Sequence, residues 1–252
     1  MAILITGHKG FIGQNMMEAM PGSVGYEWGD GPVSLEGIHH VIHLGAISST
    51  ACRDWDKLKR QNVDFSIELL NACDERNISF QFASSASVYG PEAKTFKETD
   101  TPNPSNDYAK SKYLVEQYIN SKSWRIPIQV FRYFNVFGKY EEHKDQPSPH
   151  TKFRLQKERL GRIEIFEGSE NFKRDFIPVE RIVEVHKKML DIRGVDTYNL
   201  GTGKAVSFKS IAEEIAEGAP VVEVPFPNIS SYQTFTQADT TKLDRTLSSA
   251  TI

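Results

Sequence analysis

Tyr108 and Lys112 are the two residues whose types and spacing best suit proton transfer. They lie four positions apart, so a helix would place both side chains on one face. A free tyrosine has a pKa of about 10 and is a poor base at neutral pH, whereas a neighbouring ammonium favours the phenolate. The pair therefore predicts an acid/base for a hydroxyl or carbonyl group. The alternative is a solvated Tyr–Lys pair on an amphipathic helix.

Ser85 is a second candidate for the same chemistry. Residues 84–90 read SSASVYG and follow a strand predicted at residues 80–84. Because ligands bind beyond the carboxyl ends of parallel strands, Ser85 is placed to hydrogen-bond the oxygen on which Tyr108 acts. The alternative is a pair of serines that close a strand and begin a turn.

Gly7, Gly10 and Gly13 form a glycine-rich loop directly after the first predicted strand. In this pattern the first glycine permits a tight turn, the second lets the backbone approach a pyrophosphate, and the third allows close helix–strand packing. The phosphates then meet backbone amides at the positive end of the helix dipole. Together with Tyr108 and Lys112, the loop predicts a nicotinamide dinucleotide and redox chemistry. A glycine-rich turn without a ligand is the alternative.

The form of the dinucleotide depends on the residues that face its adenosine ribose. An acid near the end of the second strand favours NAD, and Glu27 and Asp30 both have that position. No Lys or Arg lies between Gly10 and Cys52 to receive a 2′-phosphate, but Lys9 lies within the loop itself. Lys9 therefore favours NADP, and NAD stays open.

Short apolar runs alternate with longer helical patterns along the chain, which is typical of βαβ units and a parallel sheet. Strands are predicted at residues 2–6, 24–28, 40–44, 80–84, 128–133, 197–200 and 221–224. Helices are predicted from residue 11 onward and at residues 57–75, 106–121, 178–190 and 208–216. Residues 138–151, with two prolines and several charges, are predicted to be a loop that caps a site.

These elements predict an α/β fold, a Rossmann-type doubly wound parallel sheet with a small C-terminal substrate-binding subdomain. Residues 1–137 would form the dinucleotide-binding domain, to which residues 177–200 return, and residues 138–176 and 201–252 would form the subdomain. About 26 residues separate Gly13 from His40, too few for the usual helix, strand, helix and strand. The connection between the second and third strands is therefore predicted to be compressed to a turn.

The composition excludes several classes of function. With 30 Lys and Arg against 33 Asp and Glu, the net charge of −3 gives no electrostatic footprint for nucleic acid. The two cysteines, Cys52 and Cys73, are too few for a disulfide framework. No apolar run approaches the roughly 20 residues of a membrane helix, and no metal site is predicted. We expect a cytoplasmic protein with neither a nucleic-acid nor a membrane partner.

The glycine loop, the serine strand end and the Tyr108–Lys112 pair resemble the extended short-chain dehydrogenase/reductase family, which includes NAD-dependent epimerases and dehydratases. Its members mostly modify sugars carried on nucleoside diphosphates. Residues 43–49 (HLGAISS) resemble the family's cofactor-contacting turn, and residues 132–138 (RYFNVFG) resemble the segment after its fifth strand. The cofactor contacts implied in addition to those above are Phe11, Ile12, Leu44, Gly45, Ala46, Asn62 and Val136.

A closer resemblance, over nearly the whole chain, is to one branch of this family, the ADP-L-glycero-D-manno-heptose 6-epimerases. It rests on residues 133–138 (YFNVFG), 142–144 (EHK), 166–176 (FEGSENFKRDF) and 235–239 (FTQAD). It implies that Tyr108 is one acid/base, assisted by Ser85, and that Lys144 is the second, on the opposite face of the sugar. The implied substrate contacts are Ser48, Ser85, Asn135, Phe166, Glu167, Gly168, Ser169, Arg174 and Tyr232.

Arg174 and Lys144 differ in the physical support that the sequence gives them. Arg174 offers a planar donor fork that matches phosphate oxygens, although an ion pair with a nearby carboxylate is the alternative. A lysine in a charged loop is usually solvated, so Lys144 depends on the resemblance. The resemblance also implies a nucleoside-diphosphate sugar as substrate and a homo-oligomer, with oxidation and re-reduction at one carbon.

The chain departs from the resemblance in three places. The region after the second strand lacks the family's cationic stretch, and His150 or Phe153 falls near a substrate-binding histidine without matching it. The chain also ends at Ile252, before the family's terminal helix. A nucleotide-sugar 4-epimerase and a non-catalytic NAD(P)-binding protein of the same fold are therefore alternatives. A 4,6-dehydratase is disfavoured, because it needs an acid pair where Ala86 and Ser87 stand.

Overall fold

The computed structural model describes residues 2–144, 146–226 and 233–249, so the substrate contact expected of Tyr232 lies outside the described residues. The strands, in chain order, are β1 (Ala2–Thr6), β2 (Val24–Tyr26), β3 (Ile38–His43), β4 (Ser79–Ser85), β5 (Lys94–Phe96), β6 (Ile128–Tyr133), β7 (Asn135–Phe137), β8 (Ile163–Phe166), β9 (Lys173–Pro178), β10 (Val195–Leu200), β11 (Ala205–Ser207), β12 (Val221–Val224) and β13 (Phe235–Ala238). The helices are α1 (Phe11–Ala19), α2 (Trp55–Leu58), α3 (Phe65–Glu75), α4 (Asp107–Asn120), α5 (Pro149–Leu160), α6 (Val179–Lys188), α7 (Phe208–Ala216) and α8 (Thr241–Ser249). A π-helical segment, Lys59–Asp64, joins α2 to α3.

The central sheet has the strand order β2-β1-β3-β4-β6-β10, and every neighbouring pair in it is parallel. The chain winds in opposite directions on the two sides of β1, because β2 lies on one side and the later strands lie on the other. This is a doubly wound sheet, in which ligands bind beyond the carboxyl ends of the strands at the point of reversal. The predicted α/β fold with a Rossmann-like parallel sheet is confirmed.

Apolar side chains fill both faces of the central sheet, as expected for a parallel sheet covered by helices. One face packs against α1, α6 and α8, where Met16, Ile182 and Leu243 are almost wholly buried. The opposite face packs against α3 and α4, where Leu70 and Val115 are fully buried. Burying a side chain of this size contributes roughly 1.5–3 kcal/mol. The two cores therefore hold the helices that carry the candidate site at fixed positions against the strand ends.

The connection from β2 to β3 consists of turns and bends at residues 27–37, without a helix, as the sequence predicts. Gly29 and Gly31 have φ values of +100° and +94°, a left-handed backbone that glycine adopts without steric cost. Val33 and Leu35 pack against the same core as α3. These two side chains take the place of a crossover helix.

The other strands form two smaller sheets, β11-β9-β13-β5 with β7 paired to β9, and β12-β8. An apolar cluster that includes Phe153, Ile163 and Ile211 joins α5, β8 and α7 beside them. β5, from the part of the sequence assigned to the dinucleotide-binding domain, pairs with β13 from the end of the chain. The proposed division into domains stays a prediction.

α5 and α8 are helices that the sequence analysis misses. α5 begins inside the predicted capping loop, with Pro149 in its first turn and the Ser148 side chain accepting a hydrogen bond from the backbone N–H of Thr151. Proline suits the start of a helix, where its missing N–H costs nothing, so a residue taken as a loop signal starts a helix instead. α8 buries only Leu243 and Leu247, too few to reveal it. Among the described residues, no helix is both long enough and apolar enough to cross a membrane.

Candidate active site

The glycine-rich loop after β1 packs directly against the turn after β3. Gly7 has a φ of +71°, and a Cβ atom there would lie 2.7 Å from the Cα atom of Gly45. A Cβ atom on Gly13 would lie 2.0 Å from the carbonyl oxygen of Gly7, so α1 can approach the loop this closely only with glycine there. Gly10 precedes α1 without a side-chain cap, which leaves the first amides of the helix to phosphate oxygens. The loop therefore fits the pyrophosphate of a dinucleotide.

Glu27 follows β2 and reaches the glycine-rich loop. Its Oε1 atom accepts a hydrogen bond from the backbone N–H of Lys9 at 2.6 Å and lies 3.5 Å from Nδ1 of His8. Asp30 is exposed, and its Oδ2 atom accepts a hydrogen bond from the backbone N–H of Glu27 at 2.8 Å. Of the two predicted acids, Glu27 is thus the one that contacts the loop, and Asp30 supports it from outside.

The turn after β3, which contains Leu44, Gly45 and Ala46, is held in place by Asn62. The fully buried Asn62 side chain accepts a hydrogen bond from the backbone N–H of Ile47 at 2.8 Å. Its Nδ2 atom donates to the carbonyl oxygen of Ile47 and to Oγ of Ser111, both at 3.0 Å. The amide therefore ties the turn to α4, behind the crevice between β1 and β3.

One face of α4 contacts the end of β4. Ser85 and Tyr108 line the same cavity, and the Ser85 hydroxyl acts to lower the pKa of the Tyr108 phenol. The Nζ atom of Lys112 donates to the carbonyl oxygen of Ala83 at 2.7 Å and lies 4.9 Å from the centroid of the Phe82 ring. The structure thus brings together the three residues that the sequence singles out from two distant motifs, at the carboxyl edge of the sheet.

The pKa of Tyr108 requires a correction to the sequence-based expectation. Burial raises the pKa of its phenol, and the hydrogen bond with Ser85 opposes that rise. Burial lowers the pKa of Lys112 to about 7, against the opposing charge of Glu116. The Lys112 nitrogen donates to the carbonyl oxygen of Ala83, and the lowering of the pKa of Tyr108 expected from this ammonium does not outweigh the effect of burial. Tyr108 therefore holds a proton that it can donate, and acting as a base requires a cation close to the phenol oxygen.

A cavity of about 1130 Å³ opens beside Tyr108, slightly larger than the roughly 300–1,000 Å³ usual for ligand pockets. The predicted residues on its wall are Phe11, Ile12, Ser48, Ser85, Tyr108, Asn135, Val136, Lys144, Phe166, Ser169 and Arg174. Of the described residues with predicted substrate contacts, Glu167 and Gly168 do not reach this wall. The cavity therefore joins the glycine-loop end of the site to the segment from β8 to β9.

Lys144 enters the cavity from the segment before α5. Its ammonium lies 5.2 Å from the centroid of the Phe11 ring and 3.4 Å from Oε1 of Glu141. The fully buried Glu141 carboxylate also accepts hydrogen bonds from the backbone N–H and the hydroxyl of Ser148, each at 2.7 Å, and from the Thr151 hydroxyl at 2.8 Å. Lys144 is therefore tethered to a buried acid, which the sequence pattern did not predict.

Arg174 and Phe166 supply a different part of the wall. The guanidinium of Arg174 donates to the carbonyl oxygens of Lys173, at 2.9 Å, and of Gln233, and it lies 5.7 Å from the centroid of the Phe208 ring. Phe166 is 36% exposed despite its size. A cation and an exposed aromatic ring on the wall of one cavity suit a phosphate joined to a flat base.

α5 contributes wall residues that the sequence does not predict, because the sequence predicts a loop up to residue 151. Lys152 and Gln156 lie one helical turn apart and both line the cavity. The Nζ atom of Lys152 lies 5.6 Å from the centroid of the Phe166 ring. Phe153 also lines the cavity, whereas the His150 ring stacks on Phe137 with 3.8 Å between centroids. The Ser148-Pro149 helix start is the signal that would have revealed them.

A glycine loop at the reversal point of a doubly wound sheet, with Ser85 and Tyr108 at the neighbouring strand end, defines a nicotinamide-dependent enzyme of the Rossmann class. Residues 32–201 match the Epimerase family, which is described as the NAD dependent epimerase/dehydratase family. The match covers more than half of the chain. The chain therefore belongs to the NAD dependent epimerase/dehydratase family, and it is an enzyme of that family.

Solved structures of the same fold include several nucleotide-sugar enzymes. Helicobacter pylori ADP-L-glycero-D-manno-heptose-6-epimerase matches with a TM-score of 0.84 and 23% identity, over 98% of this chain and 90% of that one. UDP-N-acetylglucosamine 4-epimerase from Methanobrevibacter ruminantium matches with a TM-score of 0.82 and 24% identity, over 96% and 90%. Thermus thermophilus UDP-glucose 4-epimerase, in complex with NAD, matches with a TM-score of 0.80 and 23% identity, over 98% and 93%.

Proposed function

We propose that the protein is a nucleotide-sugar epimerase that inverts a carbinol centre by transient oxidation with a bound nicotinamide cofactor. The observation that carries this proposal is that Tyr108 and Lys144, two side chains that can each exchange a proton, both line one cavity. A dehydrogenase that acts on one face of its substrate needs only one such group. Two of them allow the proton to be taken on one face and returned on the other.

The cofactor would be held by the glycine-rich loop, Glu27 and the turn after β3, and it would supply the acceptor and donor of hydride. Tyr108, which lines the cavity together with Ser85, exchanges a proton with the hydroxyl of one epimer. Lys144, whose charge is balanced by Glu141, does so with the other. Arg174 and Phe166 hold the nucleotide. The sugar can therefore rotate between Tyr108 and Lys144 while the rest of the substrate stays bound.

An ADP-glycero-manno-heptose is the substrate that we propose first. Lys144 supports it, because this lysine lies in the EHK segment that resembles the heptose 6-epimerases. A 4-epimerase acting on another nucleotide hexose is the second candidate, since the cavity volume and the cation at Arg174 suit any nucleoside-diphosphate sugar. A non-catalytic binding protein is disfavoured because Ser85 and Tyr108 are both retained and both line the cavity.

Turnover of a panel of sugar nucleotides tests this proposal. The purified protein is incubated with ADP-D-glycero-D-manno-heptose, UDP-glucose and UDP-N-acetylglucosamine in separate reactions, and the configuration of each carbinol carbon is followed by NMR. We expect inversion at C6″ of the heptose. Inversion of a hexose at C4 instead would replace the heptose with the second candidate. No inversion of any of the three by protein that binds the cofactor would refute the epimerase proposal.

We propose NAD as the cofactor, although Lys9 led the sequence analysis to favour NADP. The support is the position of the Glu27 carboxylate, 2.6 Å from the backbone nitrogen of Lys9. An acid there accepts hydrogen bonds from the ribose hydroxyls of NAD. It would repel the 2′-phosphate of NADP, since two like charges in contact cost up to several kcal/mol.

Glu27→Gln is expected to change the cofactor preference. The parent protein should bind NAD at least about tenfold more tightly than NADP, and the variant should lose most of that difference because the repulsion is removed. Isothermal titration calorimetry with each dinucleotide measures both affinities. Asp30→Asn is the matched control: Asp30 is exposed, its side chain accepts a hydrogen bond from the backbone N–H of Glu27 and bonds nothing else among the described residues, and asparagine keeps an acceptor oxygen there. A parent protein that prefers NADP would contradict the assignment.

Lys152→Met is expected to weaken binding of the diphosphate part of the substrate. Lys152 lines the cavity above Phe166, so its loss should lower the affinity for a nucleoside diphosphate by about tenfold and leave that for the free nucleoside unchanged. Titration of both ligands measures the difference. Arg159→Met is the control, because Arg159 is an exposed cation of α5 that does not line the cavity. Equal losses for the two ligands would contradict this role.

The cytoplasmic location and the homo-oligomeric assembly expected from the sequence stay predictions.

A further inference from the structure

Glu116 is a buried acid that lies on the same face of α4 as Tyr108 and Lys112. The three residues are separated by four positions each, so their side chains follow one line along the helix. Opposite them are the last residues of β4: Ala83 accepts a hydrogen bond from Lys112, Ser84 donates one to Glu116, and Ser85 lines the cavity together with Tyr108. The contact at Glu116 has no part in the chemistry described above.

The Glu116 carboxylate connects α4 to two strands. It is 1% exposed, and it accepts hydrogen bonds from the Ser84 hydroxyl and from the guanidinium of Arg132 on β6, at 2.6 Å from Nη2 and 3.1 Å from Nε. Arg132 is itself buried and lies 4.7 Å from the centroid of the Tyr89 ring, and the Tyr89 hydroxyl donates to Asn199 on β10 at 2.6 Å. Polar contacts thus run from α4 through β6 to β10.

A buried ion pair of this kind is a poor way to gain stability. Its desolvation cost often equals or exceeds its attraction, and replacing both partners with apolar residues is often neutral or stabilising. Its hydrogen bonds are directional, however. They fix the rotation of α4 about its own axis and its distance from the sheet, which apolar packing does not. The carboxylate also accepts a hydrogen bond from Ser84, the residue next to Ser85. It therefore fixes the position of α4 relative to the end of β4.

We propose that Glu116 is the positioning residue for the catalytic tyrosine: by binding Arg132 and Ser84 together, it sets the distance and angle between the Tyr108 phenol and the Ser85 hydroxyl. This inference rests on the proposed function only in assigning the proton transfer to Tyr108. The negative charge of Glu116 also counters the effect of burial on the pKa of Lys112, so the carboxylate serves both residues of the pair. Displacement of reacting groups by about 1 Å can cost roughly 100-fold in rate, so a change at Glu116 should be visible in kcat.

Two variants separate positioning from stability. Glu116→Gln leaves an acceptor for Ser84 but an unbalanced Arg132, and it should lower both kcat and the free energy of unfolding. The double variant Glu116→Leu/Arg132→Met removes both partners of the pair. We expect its free energy of unfolding to be at least as high as that of Glu116→Gln. Its kcat should nevertheless stay at least about tenfold below that of the parent, with KM and cofactor affinity within about threefold. Ile119→Ala, a buried apolar change on α4, is the control for destabilisation and should keep kcat.

A readout without substrate keeps this inference separate from the proposed function. In protein labelled with ¹³C at Cζ of tyrosine, the Tyr108 signal is assigned by its loss in Tyr108→Phe. We expect that signal to shift in both Glu116 variants and to stay in place in Ile119→Ala. If the parent turns over no sugar nucleotide, the proposed function fails and the signal alone decides the inference. An unshifted Tyr108 signal, or a double variant with the kcat of the parent, would overturn the role of Glu116.

Discussion

Tyr108→Phe should lower the rate of epimerisation by about 10²–10⁴-fold, the usual contribution of a general acid/base. The substitution removes only the phenol oxygen of a residue that lines the cavity, and it leaves the ring to pack as before. Cofactor affinity should change little, because the glycine loop and Glu27 lie on other elements. The measurement is the rate of inversion by NMR, together with the cofactor dissociation constant by calorimetry.

Tyr118→Phe is the matched control for that result. Tyr118 lies on the same helix, and its hydroxyl donates to Oδ1 of Asn71 at 2.8 Å, away from the cavity. Loss of this hydroxyl should affect stability slightly and the rate of inversion not at all. A Tyr108→Phe protein as active as the Tyr118→Phe protein would show that the phenol takes no part in the reaction.

Lys144→Met should abolish net epimerisation to a similar extent, about 10²–10⁴-fold, but with a different pattern. Tyr108 still serves one face of the sugar, so one epimer should reduce the bound cofactor once, in a single turnover, without giving the other epimer. The opposite epimer should leave the cofactor oxidised. In Tyr108→Phe we expect the reverse pattern, because Lys144 is then the remaining acid/base. The epimer that leaves the cofactor oxidised in Lys144→Met should reduce it, and the other epimer should not.

Rapid mixing of each epimer with the cofactor-loaded variants measures this pattern through the absorbance of reduced nicotinamide. Lys139→Met is the control, because Lys139 lies five residues earlier in an exposed ion pair with Glu18 and does not line the cavity. If Lys144→Met inverts its substrate as fast as Lys139→Met, the second acid/base is another residue. If both epimers reduce the cofactor equally in Lys144→Met, Lys144 holds the substrate without transferring a proton.

The parts of the site that the sequence predicts are those whose requirements are local. Gly7 and Gly13 are read correctly as a tight turn and a close approach, because a Cβ atom at either position would collide with backbone. Ser85 and Tyr108 follow from the end of a strand and the period of a helix. Each of these features depends on neighbours in the sequence or on a fold rule that holds throughout doubly wound sheets.

The parts that the sequence does not predict depend on contacts between distant segments. Glu116 and Arg132 are 16 residues apart, and neither segment contains a sequence pattern that predicts their pairing inside the core. Lys152 is not predicted for a different reason: the prolines of residues 138–151 favour a loop, whereas Pro149 starts the helix that carries Lys152. The sequence also does not predict whether Glu27 or Lys9 decides between NAD and NADP, because this depends on which side chain contacts the glycine-rich loop.

The most direct test of the central claim uses ADP-D-glycero-D-manno-heptose carrying deuterium at C6″. The protein is incubated with this substrate and a trace of cofactor in ordinary water, and the product is examined by NMR for its configuration and its isotope. Our account predicts the inverted epimer with deuterium still at C6″, because the hydrogen that is removed returns to the same carbon. Inversion with the deuterium replaced by solvent hydrogen would contradict transient oxidation at that carbon.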